Sequence, residues 1–513
     1  MVAQELDYFR AIIQADMAPL AKVTEVSELT SLSKQLNQQV FLKREDQQPV
    51  YSFKLRGAYN KLRQLPKGTK VITASAGNHA QGVALSAAHL GHQATIVMPV
   101  TTPDIKVNSV RNLGGEVVLH GHNFDAAQAH AYALTEQQGA VFVPPFDDPD
   151  VIIGQGTVAR ELMQQLHNLD AVFIPVGGGG LLAGMAVYIK SLRPDIKVIG
   201  VEAAESACLD AALTAGEPVE LEQVGSFADG VAVKIIGKET FRLAQKFCDE
   251  VVTVSSDEIC AAVQDIFVAT RAIAEPSGAL ATAGLTKWSK QCGQTGLKLA
   301  AVLSGANLNF DRLRYIAERT ALGAKSEALF GVTIKEEKGS FKRFCHALGG
   351  RAITEFNYRY AGEGDAQIFV GVGLRGGQPE LDEVKSVLQT NGYGFEDLSD
   401  NELAKLHIRY MVGGKPPVPL NEHLYRFEFP EYPGALARFL ETLGSEWNIT
   451  LFHYRNHGAA EGNVLAAFDI APEQLSLFNL HLAKLGYKYW DETHNPCFAQ
   501  YLQNQELEQQ QAS

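Results

Sequence analysis

The chain has 513 residues, 46% of them apolar and 20% charged, with a formal net charge of −13. Such a composition excludes disordered, collagen-like and mini-protein classes, and at roughly 150 residues per domain the length suggests about three domains. The acidic balance, without a basic tract, argues against nucleic-acid binding, which needs Lys and Arg to neutralise phosphates.

In chain order, the start (Met1-Val-Ala-Gln-Glu-Leu-Asp) has neither a basic n-region nor an apolar h-region, and no run of about eighteen apolar residues follows. A cytoplasmic protein without a membrane span is expected. Short apolar runs at 40–42, 71–73, 94–98, 117–119, 171–175, 198–201 and 299–303 alternate with helix-period segments such as 107–113 and 157–166. That alternation predicts βαβ units and a mainly parallel sheet with helices on both faces, where ligands bind beyond the carboxyl ends of the strands. Residues 311–325 read as a helix closing this region, with Gly323 as its stop. Cys208, Cys248, Cys260, Cys292, Cys345 and Cys497 lie at least twelve positions apart with no CxxC or zinc spacing. Free thiols are expected, and no metal site, the His120-Gly-His122 pair included.

Beyond residue 330 the texture changes. Strand-like runs at 332–334, 353–358 and 368–372 are followed by a similar series at 425–429, 449–454 and 464–470. Phe356-Asn-Tyr-Arg359 aligns with Phe452-His-Tyr-Arg455 at an offset of 96, close to the 95 between Gly339 and Gly434. The nearly fixed offset predicts two copies of a β-α-β-β module. The expected divisions are a catalytic domain over 1–322, a linker over 323–330, repeats over 331–410 and 424–503, and a frayed polar tail over 504–513.

Four segments carry chemistry. In Ser52-Phe-Lys-Leu-Arg-Gly-Ala58, Ser52 can cap a helix whose first turn holds Lys54 between Phe53 and Leu55. A lysine among apolar neighbours loses its charge more readily, and its neutral amine can attack a carbonyl. Ser75-Ala-Gly-Asn-His-Ala-Gln-Gly82 follows a strand, so its small residues let backbone N–H groups approach an anion at a helix start, with the Asn78 amide beside them. Val176-Gly-Gly-Gly-Gly-Leu-Leu-Ala-Gly184 exposes adjacent N–H groups as a phosphate cradle. The pattern Gly178-x-Gly180-x-x-Ala183, followed by a strand ending at Glu202, also fits a nicotinamide-dinucleotide fingerprint, although that fingerprint normally opens its own domain. In Leu303-Ser-Gly-Ala-Asn307, Ser304 ends a buried strand and can offer a hydroxyl to a ring nitrogen.

These segments, in this order, resemble the pyridoxal-phosphate-dependent enzymes of the tryptophan-synthase β-subunit fold, and among them the biosynthetic threonine deaminases. The resemblance covers roughly residues 5–503. It implies an α/β architecture of PLP fold type II, with two open, mainly parallel sheets, and a C-terminal α+β tandem ACT-like regulatory domain. It further implies that pyridoxal 5′-phosphate is bound covalently by Lys54, with Asn78 at its 3′-oxygen. Gly177, Gly178, Gly179, Gly180 and Leu181 would hold its phosphate, and Ser304 would face its pyridine nitrogen.

The expected reaction converts L-threonine, or L-serine, to the 2-oxo acid and ammonia. Lys54 would be the base, and Ser75, Ala76, Gly77, Asn78 and His79 would receive the substrate carboxylate. The leaving hydroxyl takes its proton from the lysine ammonium or the cofactor phosphate. A neutral Ser304, in place of a carboxylate, should favour elimination over transamination or racemisation. Phe356, Tyr358, Phe452 and Tyr454 are candidate effector contacts. The family implies isoleucine as inhibitor, valine as opposing activator, and a homotetramer. A serine dehydratase or racemase of the same fold, a nicotinamide dehydrogenase and a non-catalytic amino-acid sensor are the competing readings; one methyl in a pocket is worth only ~1–3 kcal/mol.

Overall fold

The computed structural model describes residues 3–335, 343–344, 347–349, 351, 353–358, 365–410, 415, 420–430, 442, 447–455 and 461–503. The chain divides into two compact units, Met1–Phe310 and Asp311–Ser513.

In the first unit, β1 (Val26–Glu28) and β2 (Gln39–Arg44) begin a six-stranded sheet. A separate four-stranded sheet is formed by β3 (Lys70–Ala74), β4 (Gln93–Met98), β5 (Glu116–Leu119) and β6 (Val141–Phe142). The chain then returns to the larger sheet with β7 (Ala171–Pro175), β8 (Lys197–Ala203), β9 (Glu250–Val254) and β10 (Lys298–Leu303). The orders are β1-β2-β10-β7-β8-β9 and β5-β4-β3-β6. Only the β1–β2 pair is antiparallel. All of β7 is buried, because helices cover both faces, and this is why it reads as an unbroken apolar run. Two open, mainly parallel sheets are therefore present, as the resemblance implied.

The second unit begins with the helix Arg312–Gly323 and contains β11 (Glu327–Lys335), β12 (Ile353–Tyr358), β13 (Asp365–Gly373) and β14 (Gly394–Asp397). The series recurs as β15 (Glu422–Pro430), β16 (Asn448–Arg455), β17 (Glu461–Asp469) and β18 (Tyr489–Asp491). The sheet orders, β12-β13-β11-β14 and β16-β17-β15-β18, are equivalent. Even the irregularities repeat: β12 shifts register between Ile353 and Glu355, and β16 between Ile449 and Leu451. Each copy also has a helix, Gln378–Thr390 or Leu475–Leu485, before its last strand, which the expected β-α-β-β module did not include.

Two expectations change. The helix Arg312–Gly323 packs with the second unit: Leu322 joins a core with Leu329, Leu424 and Phe498, and Arg319 pairs with Glu402 through two bonds of 2.6 and 3.1 Å. The units therefore part at 310, not 322. That helix ends at Gly323, where the stop was expected, and the left-handed turn follows on Lys325, with φ of 52°. β11 occupies much of the stretch expected to be a linker, with Leu329 and Phe330 fully buried.

The two repeats interlock. The terminal segment with Phe498 and Leu502 shares one apolar core with Phe369 of β13 and Leu465 of β17. Tyr501 donates its hydroxyl to Ile368 O at 2.6 Å.

Candidate active site

Lys54 opens the helix Lys54–Leu62, and Ser52 Oγ accepts its backbone N–H at 3.3 Å. Ser52 thus serves the first turn from one place earlier than the formal cap, Phe53. The Lys54 amine donates to Pro145 O at 2.8 Å, and burial lowers its pKa to about 8. The next residue, Phe146, packs on the glycine run. A Cβ at Gly178 would fall inside the Phe146 ring, and one at Gly180 would lie 3.2 Å from Phe146 Cα. The amine and the loop thus share Pro145 and Phe146 as neighbours.

The glycine run links β7 to the helix Gly180–Leu192. Gly179 has φ of +87°, a conformation that favours glycine, and forms the N-cap. Its neighbours' carbonyls are engaged elsewhere: Gly177 O accepts the Cys208 thiol at 3.3 Å and Gly178 O the Thr240 hydroxyl at 2.7 Å. The first N–H groups of the helix have no intrahelical acceptor and, with the dipole, suit a phosphate.

Asn78 begins the helix Asn78–Leu90, after Gly77. Its Nδ2 donates to Glu275 Oε1 at 2.6 Å, and its Oδ1 accepts from Asn307 Nδ2 at 2.7 Å. Asn307 is also 2.7 Å from Val50 O. Glu275 and Asn307 therefore fix the amide that the sequence singled out. Ser75 Oγ accepts the Gly77 N–H at 3.3 Å, shaping the turn that also contains Ala76. The His79 ring is turned inward, with Nε2 3.0 Å from Val143 O. Burial, and then the nearby Lys54 charge, push its pKa down to about 3. The His79 ring is therefore uncharged near neutral pH.

Ser304 is buried and donates its hydroxyl to Ser277 O at 3.2 Å, while its own carbonyl accepts the Phe53 N–H at 3.1 Å. A bridge between Ser52 and Gly305 ties this strand end to the lysine turn. The Ser277 hydroxyl is buried with no protein partner.

The structure brings Lys54, Asn78, the 177–181 loop and Ser304 around one region of the first unit. Sequence reasoning missed Phe146, Ser277 and the amide-holding role of Asn307, although Ser304-Gly-Ala-Asn307 was visible as a motif. Glu202 accepts from Leu209 and Asp210 N–H groups at 2.8 and 2.9 Å, and burial raises its pKa to about 7, whereas Glu275 holds Asn78. Glu202 is thus buried and spent on the start of the helix Cys208–Ala215. Phe356 and Tyr358 pair with Val370 and Ile368, and Phe452 and Tyr454 with Ala466 and Val464, at matching places in the two sheets. Their side chains lie outside the described residues.

Residues 17–305 match the family of pyridoxal-phosphate dependent enzymes. Residues 318–408 and 415–502 match the C-terminal regulatory domain of threonine dehydratase. The chain is 58% identical over 499 residues to the biosynthetic L-threonine dehydratase of Escherichia coli (strain K12), covering 97% of each chain. It belongs to the biosynthetic threonine dehydratases. The mitochondrial threonine dehydratase of Saccharomyces cerevisiae is 47% identical over 514 residues, with coverage of 97% of this chain and 89% of that one. A solved structure of the processed form of threonine deaminase isoform 2 from Solanum lycopersicum has a TM-score of 0.62 and 45% identity, covering 63% of this chain and 90% of that one. Maize serine racemase has a TM-score of 0.57 at 29% identity, covering 60% and 95%.

This threonine dehydratase is a pyridoxal-phosphate-dependent ammonia-lyase with a C-terminal regulatory domain. Its residues fit that cofactor: an amine with a depressed pKa, a glycine cradle that Phe146 closes to a side chain at Gly178, and the buried, unpartnered Ser277 hydroxyl. Among the described residues, no helix is long and apolar enough to cross a membrane.

Proposed function

We propose that this threonine dehydratase deaminates L-threonine to 2-oxobutanoate and ammonia at Lys54, as the committed step of isoleucine synthesis. L-serine is the second substrate. When bound, pyridoxal phosphate supplies an aldehyde for covalent attachment and a ring that withdraws electrons from the substrate. The 177–181 loop holds its phosphate. Asn78, with one of two amide hydrogens committed to Glu275, keeps the other for the 3′-oxygen. Ser304 can turn its hydroxyl from Ser277 O to the ring nitrogen. The N–H groups at the start of Asn78–Leu90, with those of Ser75, Ala76 and Gly77, receive the substrate carboxylate without a mobile counter-ion. The uncharged Lys54 amine takes the α-proton.

The observation that carries the reading is the amine, its pKa near 8, held by Pro145 beside the residue that packs on the phosphate cradle. In the second unit, Phe356 and Tyr358, with Phe452 and Tyr454, are proposed to line paired effector sites, supported by their equivalent registers. Isoleucine inhibits there and valine opposes it. A cytoplasmic homotetramer completes the proposal. Product identification with threonine and with serine, each with and without isoleucine, tests it. The expected outcome is 2-oxobutanoate from threonine, pyruvate from serine, and suppression of both by isoleucine.

A further inference from the structure

Lys54 is held from a side that it does not face. Arg56, two residues along the same helix, is fully buried, and residues two apart lie on different faces. Its Nε and Nη2 donate to Glu45 at 2.7 and 2.8 Å, and its Nη1 and Nη2 to Glu161 at 2.7 and 2.9 Å. Nη1 is also 3.1 Å from Thr157 Oγ1. Lys43, equally buried, meets Glu161 at 2.7 Å. Two cations and two carboxylates balance, and the reaction uses none of them.

Thr157 and Glu161 belong to the helix Pro149–Gln165. This helix passes close to the lysine helix: a Cβ at Gly154 would lie 2.5 Å from Arg56 O and 2.7 Å from Gly57 Cα. Two residues on, Gly156 meets Gly184 of the helix Gly180–Leu192. A Cβ at Gly184 would overlap Ile152 O and lie 2.7 Å from Gly156 N. One helix therefore touches, backbone to backbone, both the lysine helix and the helix that begins at the phosphate cradle. A glycine crossing is close but smooth, so by itself it does little to stop one helix sliding along the other. A planar guanidinium forked between two carboxylates does, since its bonds are directional.

We propose that Arg56 is a positioning residue. Gripped by Glu45, Glu161 and Thr157, it fixes the register of Lys54–Leu62 on Pro149–Gln165 and so places the Lys54 amine relative to the glycine cradle. The proposal rests on reading Lys54 as the reactive amine.

The test uses the full chain carrying Arg56→Lys, which keeps the charge and loses the fork, and the near-isosteric Thr157→Val. Two readouts are taken: kcat and KM for threonine in the holoenzyme, and, after removal of the cofactor, the pH dependence of Lys54 acylation followed by peptide mass spectrometry. A loosened amine regains water, so the acylation midpoint should move up from about 8 toward the ordinary 10.5. His79, the titratable neighbour, stays neutral over this range. With Arg56→Lys, kcat should fall between about tenfold and a hundredfold with KM nearly unchanged, as for a misplaced group. Thr157→Val should move both readouts the same way by less, and it decides the matter if Arg56→Lys does not fold. Folded variants with wild-type midpoint and kcat, or with lower thermal stability alone, overturn the proposal. A Lys54→Ala chain with undiminished activity would instead overturn the reading beneath it.

Discussion

Lys54 sits where burial strips water from its amine, and its pKa falls from the ordinary 10.5 to about 8. Between those values the unfolded chain binds the additional proton, so this residue's contribution to stability rises with pH across that window. Below about pH 8 it is a standing cost. Lys54→Met should therefore stabilise the cofactor-free protein at pH 7 by roughly 1–3 kcal/mol. It should also flatten the rise between pH 8 and 10.5, as read by thermal denaturation; no gain would mean that the amine is solvated. Ser304 is proposed to bear on reaction choice. Ser304→Asp, with cofactor still bound, should increase racemisation or transamination relative to elimination, seen by chiral analysis of the residual amino acid. No rise in either product would remove the role assigned to the neutral hydroxyl.

The polyglycine turn shows how one element combines two demands. Gly179 needs its positive φ, so Gly179→Ala should cost about 1–2 kcal/mol in backbone strain. Gly178 needs empty space, because a side chain there would occupy the Phe146 ring. Gly178→Ala should thus weaken cofactor affinity more than Gly179→Ala, measured by equilibrium titration of the cofactor-free protein. The turn was legible in the sequence because four consecutive glycines follow an apolar run, as were β2, β3, β4, β7, β8 and β10, whose largely buried residues read as apolar runs, while β5 was legible from its Val-Val-Leu although none of it is buried. The two-residue β6 and the three-residue β1 are too short to carry a period, and β9 alternates only over five residues. Glu275, 197 positions from Asn78, and Glu161, 105 from Arg56, met their partners only through the fold. No local spacing encodes such pairs.

The division at Phe310 gives the regulatory proposal a sharp form. A chain ending there should deaminate threonine and ignore isoleucine, while the full chain is inhibited. Inhibition persisting in the shortened, active protein would place the effector site in the first unit. Within the second unit the duplication was visible at offsets of 95 and 96, yet the helices Gln378–Thr390 and Leu475–Leu485 were not: the first shows only Leu381, Val384 and Leu388 on its buried face, and in the second the exposed Leu477 and Leu480 blur the period of Phe478, Leu482 and Leu485.

Tyr501 reaches a carbonyl 133 positions earlier, and Phe498 and Leu502 lie in a core that neither repeat owns alone. The first repeat is thus left with an uncovered apolar face until the ribosome has almost finished the chain. A premature stop just ahead of Cys497 would strand Phe369 and its neighbours in water. It should therefore send the product to aggregates, although every residue of the first unit is present.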